Sequence, residues 1–168
     1  MTTSQYRTII TEQLPITAHH EAAHAVMYWH KGLSFRYVTI RSTHNVGQVA
    51  LRRPRRTRAW DLAAIAAAGP IAELRYLGRT VTDEQIIEEI EDAVALVDDE
   101  GGEWASGDYV AYGRALPPGQ WVPTWRGTEL MVTGILWPAI LAVAGTLLSS
   151  PRALTYREVS ELADTALS

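Results

Sequence analysis

The sequence predicts a mainly α-helical domain carrying one small β hairpin. Three observations lead there. Apolar residues recur at helical spacing, most clearly in the stripe Ile86, Ile90, Ala93, Val94 and Val97. Only two short stretches, Arg36 to Arg41 and Gln48 to Leu51, read as strands. Two capping-box signatures, Thr82 to Gln85 and Thr155 to Glu158, open helices late in the chain. A chain of 168 residues is one domain on length alone, and 47% hydrophobic residues are enough to build a core.

The elements follow in order. Residues 1–15 read as an N-terminal extension without an apolar leader, so no secretory signal is expected. Thr17 is a candidate N-cap for a first helix, and Gly32 a candidate stop. RYVTIR at 36–41 alternates, His44-Asn45-Val46-Gly47 reads as a turn, and Gln48 to Leu51 returns. An arginine-rich loop follows, with Arg52, Arg53, Arg55, Arg56 and Arg58. Asp61 to Leu77 is an alanine-rich helix closed by Gly78, and Thr82 opens a third helix reaching about Asp98. Residues 101–127, with Trp104, Trp121, Trp125 and Pro117-Pro118-Gly119, read as a long irregular loop. Helices resume at 129–166. Leu130 to Leu148 carries no charge and is just long enough to span a bilayer, but Gly134, Pro138 and Gly145 interrupt it. A buried helix or helix pair is the preferred reading.

Composition narrows the chemistry. There is no cysteine, which excludes disulfides, thiolate metal sites and a cysteine nucleophile. Any zinc must be held by nitrogen and oxygen. A net charge of -4 gives no general case for nucleic acid or anionic membrane as a partner.

The segment His20-Glu21-Ala22-Ala23-His24 carries the chemistry. Helical residues turn by about 100° each, so His20 and His24, at i and i+4, share one face and can reach one cation. Glu21 lies on the flank. There it is poorly placed as a ligand but well placed to take the proton of a water activated by the metal. At this chain's His and Glu frequencies, a chance His-Glu-x-x-His is on the order of 1%. The plain alternative is a helix bearing two surface histidines. His19, His30 and His44 read as ordinary surface or core residues, although His19 could add charge beside the site. A catalytic zinc needs a third protein ligand and one open position. The third helix offers Asp83, Glu84, Glu88, Glu89, Glu91 and Asp92, mostly as a solvated face. Of these, Glu89 lies closest to the apolar stripe and is the candidate ligand.

These residues resemble the protease domain of FtsH-type zinc metalloproteases, from about Thr17 to Leu162. His19-His20-Glu21-Ala22-Ala23-His24-Ala25 resembles that family's HEAGHA segment, and Val38-Thr39-Ile40 followed by Gly47 resembles its hairpin. Ala68-Gly69-Pro70-Ile71-Ala72-Glu73-Leu74, with Gly78 beyond, resembles its GGRAAEEL segment. Glu89 to Ala93 falls on the register of an NDLxxAT pattern, and Ala142-Val143-Ala144 with Leu147-Leu148 resembles the final helices. The resemblance implies an FtsH-type fold, zinc held by His20, His24 and Glu89, and Glu21 as general base. It implies Glu73 as the partner of a histidine N–H, or alternatively as the third ligand. The departures are Ala23 in place of a glycine, Pro70, and glutamate rather than aspartate at position 89.

The sequence contains no G-x-x-x-x-G-K-[ST] phosphate loop. The expected function is therefore a zinc-dependent, ATP-independent peptidase acting on flexible or unfolded protein substrates, in the cytoplasm. A catalytically weak binding or regulatory domain is the alternative, and a small membrane protein anchored through Leu130 to Leu148 is a third. The basic loop reads as solvated, or as a capture site for acidic peptides or another subunit. Asp83 to Glu103 would complement it in a homo-oligomer, and a separate ATPase is the other partner left open. No nucleic acid and no membrane partner are expected. The tryptophans of the long loop could line a groove or pin the loop to the core.

Overall fold

A computed structural model describes residues 3–41, 47–51, 57–99, 107–150 and 152–168. Seven α-helices and a three-stranded antiparallel sheet make up the described chain: α1 (Thr3–His30), β1 (Phe35–Thr39), β2 (Gln48–Leu51), α2 (Ala59–Tyr76), α3 (Asp83–Asp99), α4 (Asp108–Ala115), α5 (Trp121–Leu130), α6 (Trp137–Ser149), β3 (Leu154–Thr155) and α7 (Tyr156–Ala166). The domain is thus mainly helical with a small sheet.

The first helix differs from expectation at its start. It begins at Thr3 rather than Thr17 and runs through Pro15. A proline in a helix interior costs roughly 3 kcal/mol, so Pro15 argued for a boundary there. The His19 ring is hydrogen-bonded to the Pro15 carbonyl, Nδ1 donating at 2.7 Å, one turn on. The helix ends as the glycine predicted. Gly32 adopts φ 67°, Leu33 N–H donates to the Tyr28 carbonyl at 2.9 Å, and Gly32 N–H donates to Trp29. That closure returns orphan carbonyls of the last turn to hydrogen bonds. Gly78 ends α2 in the same way, with φ 64° and Arg79 N–H donating to Leu74.

The hairpin forms, its first strand at Phe35–Thr39 rather than Arg36 to Arg41 and its second at Gln48–Leu51 as expected, with Val38 opposite Val49 and Thr39 opposite Gln48. Its turn residues His44, Asn45 and Val46 lie outside the described residues, as do Arg52, Arg53, Arg55, Arg56 and Trp104 of the basic and tryptophan-rich segments. β3 pairs with the other side of β1, Leu154 opposite Val38, so the sheet order is β2-β1-β3 and β2 forms an edge. Two residues carry too short a pattern to be read as a strand. They pair because α7, capped reciprocally by Thr155 and Glu158, docks beside the sheet.

The long loop is the main correction. From Asp108 onward residues 107–127 are mostly helical, as α4, a 3₁₀ turn at Pro118–Gln120, and α5. Glycines and prolines hid the helices, yet each has a packing role or a tolerated position. A Cβ at Gly113 would lie 2.6 Å from the Ile90 side chain and 2.9 Å from Val94, so glycine lets α4 close onto α3. Trp121 and Trp125 are buried, so they pin the segment rather than line a groove. Tyr112 donates to the Trp121 carbonyl at 2.6 Å, and Trp121 Nε1 donates to Leu116 at 3.0 Å.

The uncharged run forms two pieces. A π-helical turn, Met131–Ile135, continues α5, and the axis then bends by 71° into α6. No single helix among the described residues is long and apolar enough to cross a membrane. α6 buries Ala139, Ile140, Val143, Ala144 and Leu147 against α1 and α7.

Candidate metal centre

α1 presents His20, Glu21 and His24 at the centre of the domain, with Ala18, Ala22, Ala25 and Val26 fully buried around them. Small residues at these positions let α2 pack close. Gly69 of α2 faces the two imidazoles. A Cβ there would collide with His24 Nε2 and lie 2.7 Å from His20 Nε2. Glycine at 69 therefore keeps open the space in which the two imidazoles meet.

The two Nε2 atoms stand 3.1 Å apart. Asp108 Oδ2, from the first turn of α4, lies 2.9 Å from His20 Nε2 and 3.3 Å from His24 Nε2. The far ring nitrogens are committed elsewhere. His24 Nδ1 is 2.8 Å from the Ile65 carbonyl, and His20 Nδ1 is 3.3 Å from Glu73 Oε2. Both partners only accept, so Nδ1 carries the proton on each ring. Each Nε2 then turns a lone pair toward the other and toward an anionic oxygen. Such a convergence needs a cation or a shared proton. Tetrahedral zinc with bonds of about 2.0–2.1 Å separates neighbouring ligand atoms by about 3.3 Å, close to the three distances here. The donor set, two imidazoles and one carboxylate, suits the same ion.

Electrostatics point the same way. Burial alone would lower the His20 pKa. Hydrogen bonds to Asp108 and Glu73, with the charges of Asp108 and Glu21, outweigh it and hold His20 up at about 10. Burial pushes Asp108 up, but the two histidines hold it well below the usual carboxylate range. Without a metal, the cluster thus keeps a proton on His20 as its cation. Glu73 is held below its ordinary value, first by the His20 hydrogen bond.

Glu21 is 7% exposed. Burial raises its pKa, and the charges of His24 and His20 partly offset the rise. Gly47, at the foot of β2, crosses directly over it. A Cβ at Gly47 would collide with Glu21 Cγ and lie 2.6 Å from Oε1. A cleft of about 710 Å³ opens beside these groups, walled by Val49, Leu62, Ile65, Ala66, Ala111 and Ala115. A second hollow of about 360 Å³, bordered by Ile16, Thr17 and Glu73, lies against the same His20, Glu21 and Gly47.

The structure thus brings together His20, Glu21, His24 and Glu73, but not Glu89. Glu89 is exposed on α3, although its charge helps raise the Tyr109 hydroxyl, after burial. The acid beside the histidines is Asp108. The apolar stripe of α3 packs on α4 and α5 rather than on α1, so nearness to it does not bring an acid to the histidines. A different signal was available. Asp108 is the one acid between Trp104 and Thr128, it follows a glycine, and Tyr109, Tyr112 and Leu116 continue at helical spacing. Among the other histidines, His19 is buried and stacked on Tyr76 at 4.2 Å between ring centroids, His30 is exposed, and His44 lies outside the described residues. No protein-family model matches the chain, and no curated protein matches it significantly.

Proposed function

We propose that this chain is a zinc-dependent, ATP-independent peptidase of the FtsH protease-domain type, cutting flexible or unfolded polypeptides. The observation that carries the reading is the cluster of His20, His24 and Asp108, whose ligand atoms all lie within 4.8 Å of one another beside the buried Glu21. His20, His24 and Asp108 would hold the ion, and all three border the cleft. When bound, zinc supplies a Lewis acid and makes an attacking water acidic near neutral pH.

The rest falls to the chain. Glu21 takes the proton of the water as its oxygen attacks the scissile carbonyl carbon, then returns that proton to the leaving amine. Its raised pKa makes it a better base than an exposed carboxylate. Glu73 and the Ile65 carbonyl hold the imidazoles in the tautomer that leaves Nε2 free. β2 is an edge strand whose first residues border the cleft, so an extended peptide could lie along it. A folded substrate keeps its backbone bonded, and opening it costs on the order of 5–15 kcal/mol. The sequence offers no phosphate loop to couple a nucleotide to that cost.

The test is cleavage of a disordered protein and of a stable folded one by the zinc-loaded chain. Cleavage of the disordered protein alone is expected, unaffected by ATP, blocked by a chelator, and lowered about 10²–10⁴-fold by Glu21→Gln. A Glu21→Gln protein that keeps its zinc and its full activity would sink the reading.

A further inference from the structure

Tyr28 stands on the same face of α1 as the two histidines, one turn beyond His24. Side chains on a helix lean toward its N-terminus, over the preceding turn. Tyr28 therefore leans toward His24 and borders the cleft that His20, Glu21, His24 and Asp108 also border. Its nearness to that group shows in its own electrostatics. Burial raises the hydroxyl pKa, and the charge of Asp108 raises it further.

The residue is held firmly. Its carbonyl accepts the Leu33 N–H that closes α1, and its ring meets the buried Phe35 edge-on at 6.1 Å between centroids. The hydroxyl, by contrast, has no hydrogen-bond partner among the described residues. A fixed ring with an uncommitted O–H, half-buried at the wall of a mostly apolar cleft, is a donor waiting for an acceptor.

We propose that Tyr28 donates the hydrogen bond that holds the substrate's carbonyl oxygen as it becomes an oxyanion. This rests on the peptidase reading above. As the water oxygen bonds to the carbonyl carbon, its proton passes to Glu21 and the carbonyl π pair moves onto oxygen. Tyr28 keeps its proton and shares it with that oxygen. When the C–N bond breaks, the pair on oxygen re-forms the carbonyl of the new carboxyl group, the C–N pair leaves with nitrogen, and the amine takes the proton from Glu21. The tyrosine bond is strongest where negative charge is greatest, so it favours the transition state over the bound substrate.

The test uses the zinc-loaded full chain and Tyr28→Phe, which keeps the ring and its packing on Phe35. A phosphinic peptide analogue serves as probe, because its tetrahedral anion imitates the charged oxygen. Calorimetry should show it binding Tyr28→Phe on the order of 10-fold or more weakly, with the same zinc content and thermal midpoint. On a peptide substrate, kcat should fall about 10²–10³-fold with KM unchanged. Equal affinity of the probe for both proteins would overturn the role of Tyr28 and leave the peptidase reading intact. A wild-type chain that holds zinc yet does not bind the probe would overturn both.

Discussion

Replacing Asp108 by alanine tests the metal centre most directly. Asp108 is the only carboxylate within reach of both Nε2 atoms among the described residues, at 2.9 and 3.3 Å. If the cluster holds zinc as proposed, its removal would take one protein ligand of three and the negative charge nearest the ion. Zinc held by four protein ligands gains about 10–16 kcal/mol, or roughly 3–4 kcal/mol for each ligand. Losing one should weaken binding on the order of 10²–10³-fold, at about 1.4 kcal/mol per tenfold. The same arithmetic gives Glu89→Ala no effect, because Glu89 is exposed on α3 and bonded to neither histidine. Glu73→Ala falls between the two. It removes only the acceptor that orients the His20 ring, a loss of about 10–100-fold. Competition against a chromophoric zinc chelator measures all three on purified chain, with circular dichroism to check that each variant is folded. An Asp108→Ala protein that binds zinc as the wild type does, beside a Glu89→Ala protein that does not, would refute this geometry and restore Glu89 as the ligand.

Gly69→Ala should abolish zinc binding while keeping helix content. A helix interior favours alanine over glycine by about 1 kcal/mol, but this methyl would occupy the space where the imidazoles meet. Zinc stoichiometry and far-ultraviolet dichroism check it, and full occupancy in the variant would remove Gly69 from the centre. The metal-free protein should show a pH dependence of its own. His20 is raised from 6.5 to about 10, so its contribution to stability is complete below pH 6.5 and is lost as the pH rises through about 10. Asp108 is held below its ordinary 3.8, so its contribution is present above that value and is lost on acidification. Thermal midpoints in chelator should therefore fall from pH 6.5 to 10, and His20→Gln should flatten the fall. The same slope in both proteins would show that the proton sits elsewhere.

Much of this was legible in the sequence because it depends on neighbours along the chain. The i, i+4 pairing of His20 and His24 and the flanking place of Glu21 follow from helical geometry alone. The same holds for the stops at Gly32 and Gly78 and the boxes at Thr82 and Thr155, each completed by residues a few positions away. Local cues mislead at two places, and at Gly113 distant partners override the cue. Pro15 marks a boundary that α1 ignores, and Gly113 reads as loop although Ile90 and Val94 need its missing side chain.

The placing of Asp108 beside the histidines belongs to the other kind of fact. Eighty-four residues separate His24 from Asp108, and no periodicity in either helix states that the two meet. Amphipathic spacing reveals which face of α3 is buried but not which helix covers it, so the acid nearest the stripe need not be the acid nearest the histidines. Only packing decides that, and here small residues decide the packing. Gly69 brings α2 against His20 and His24, Gly47 brings β2 over Glu21, and Gly113 seats α4 on α3 with Asp108 at its first turn. A sequence names the groups able to hold an ion, because that is a property of side chains. Which of them share a few ångströms depends on how closely backbones approach, and that is settled only when the helices have closed on one another.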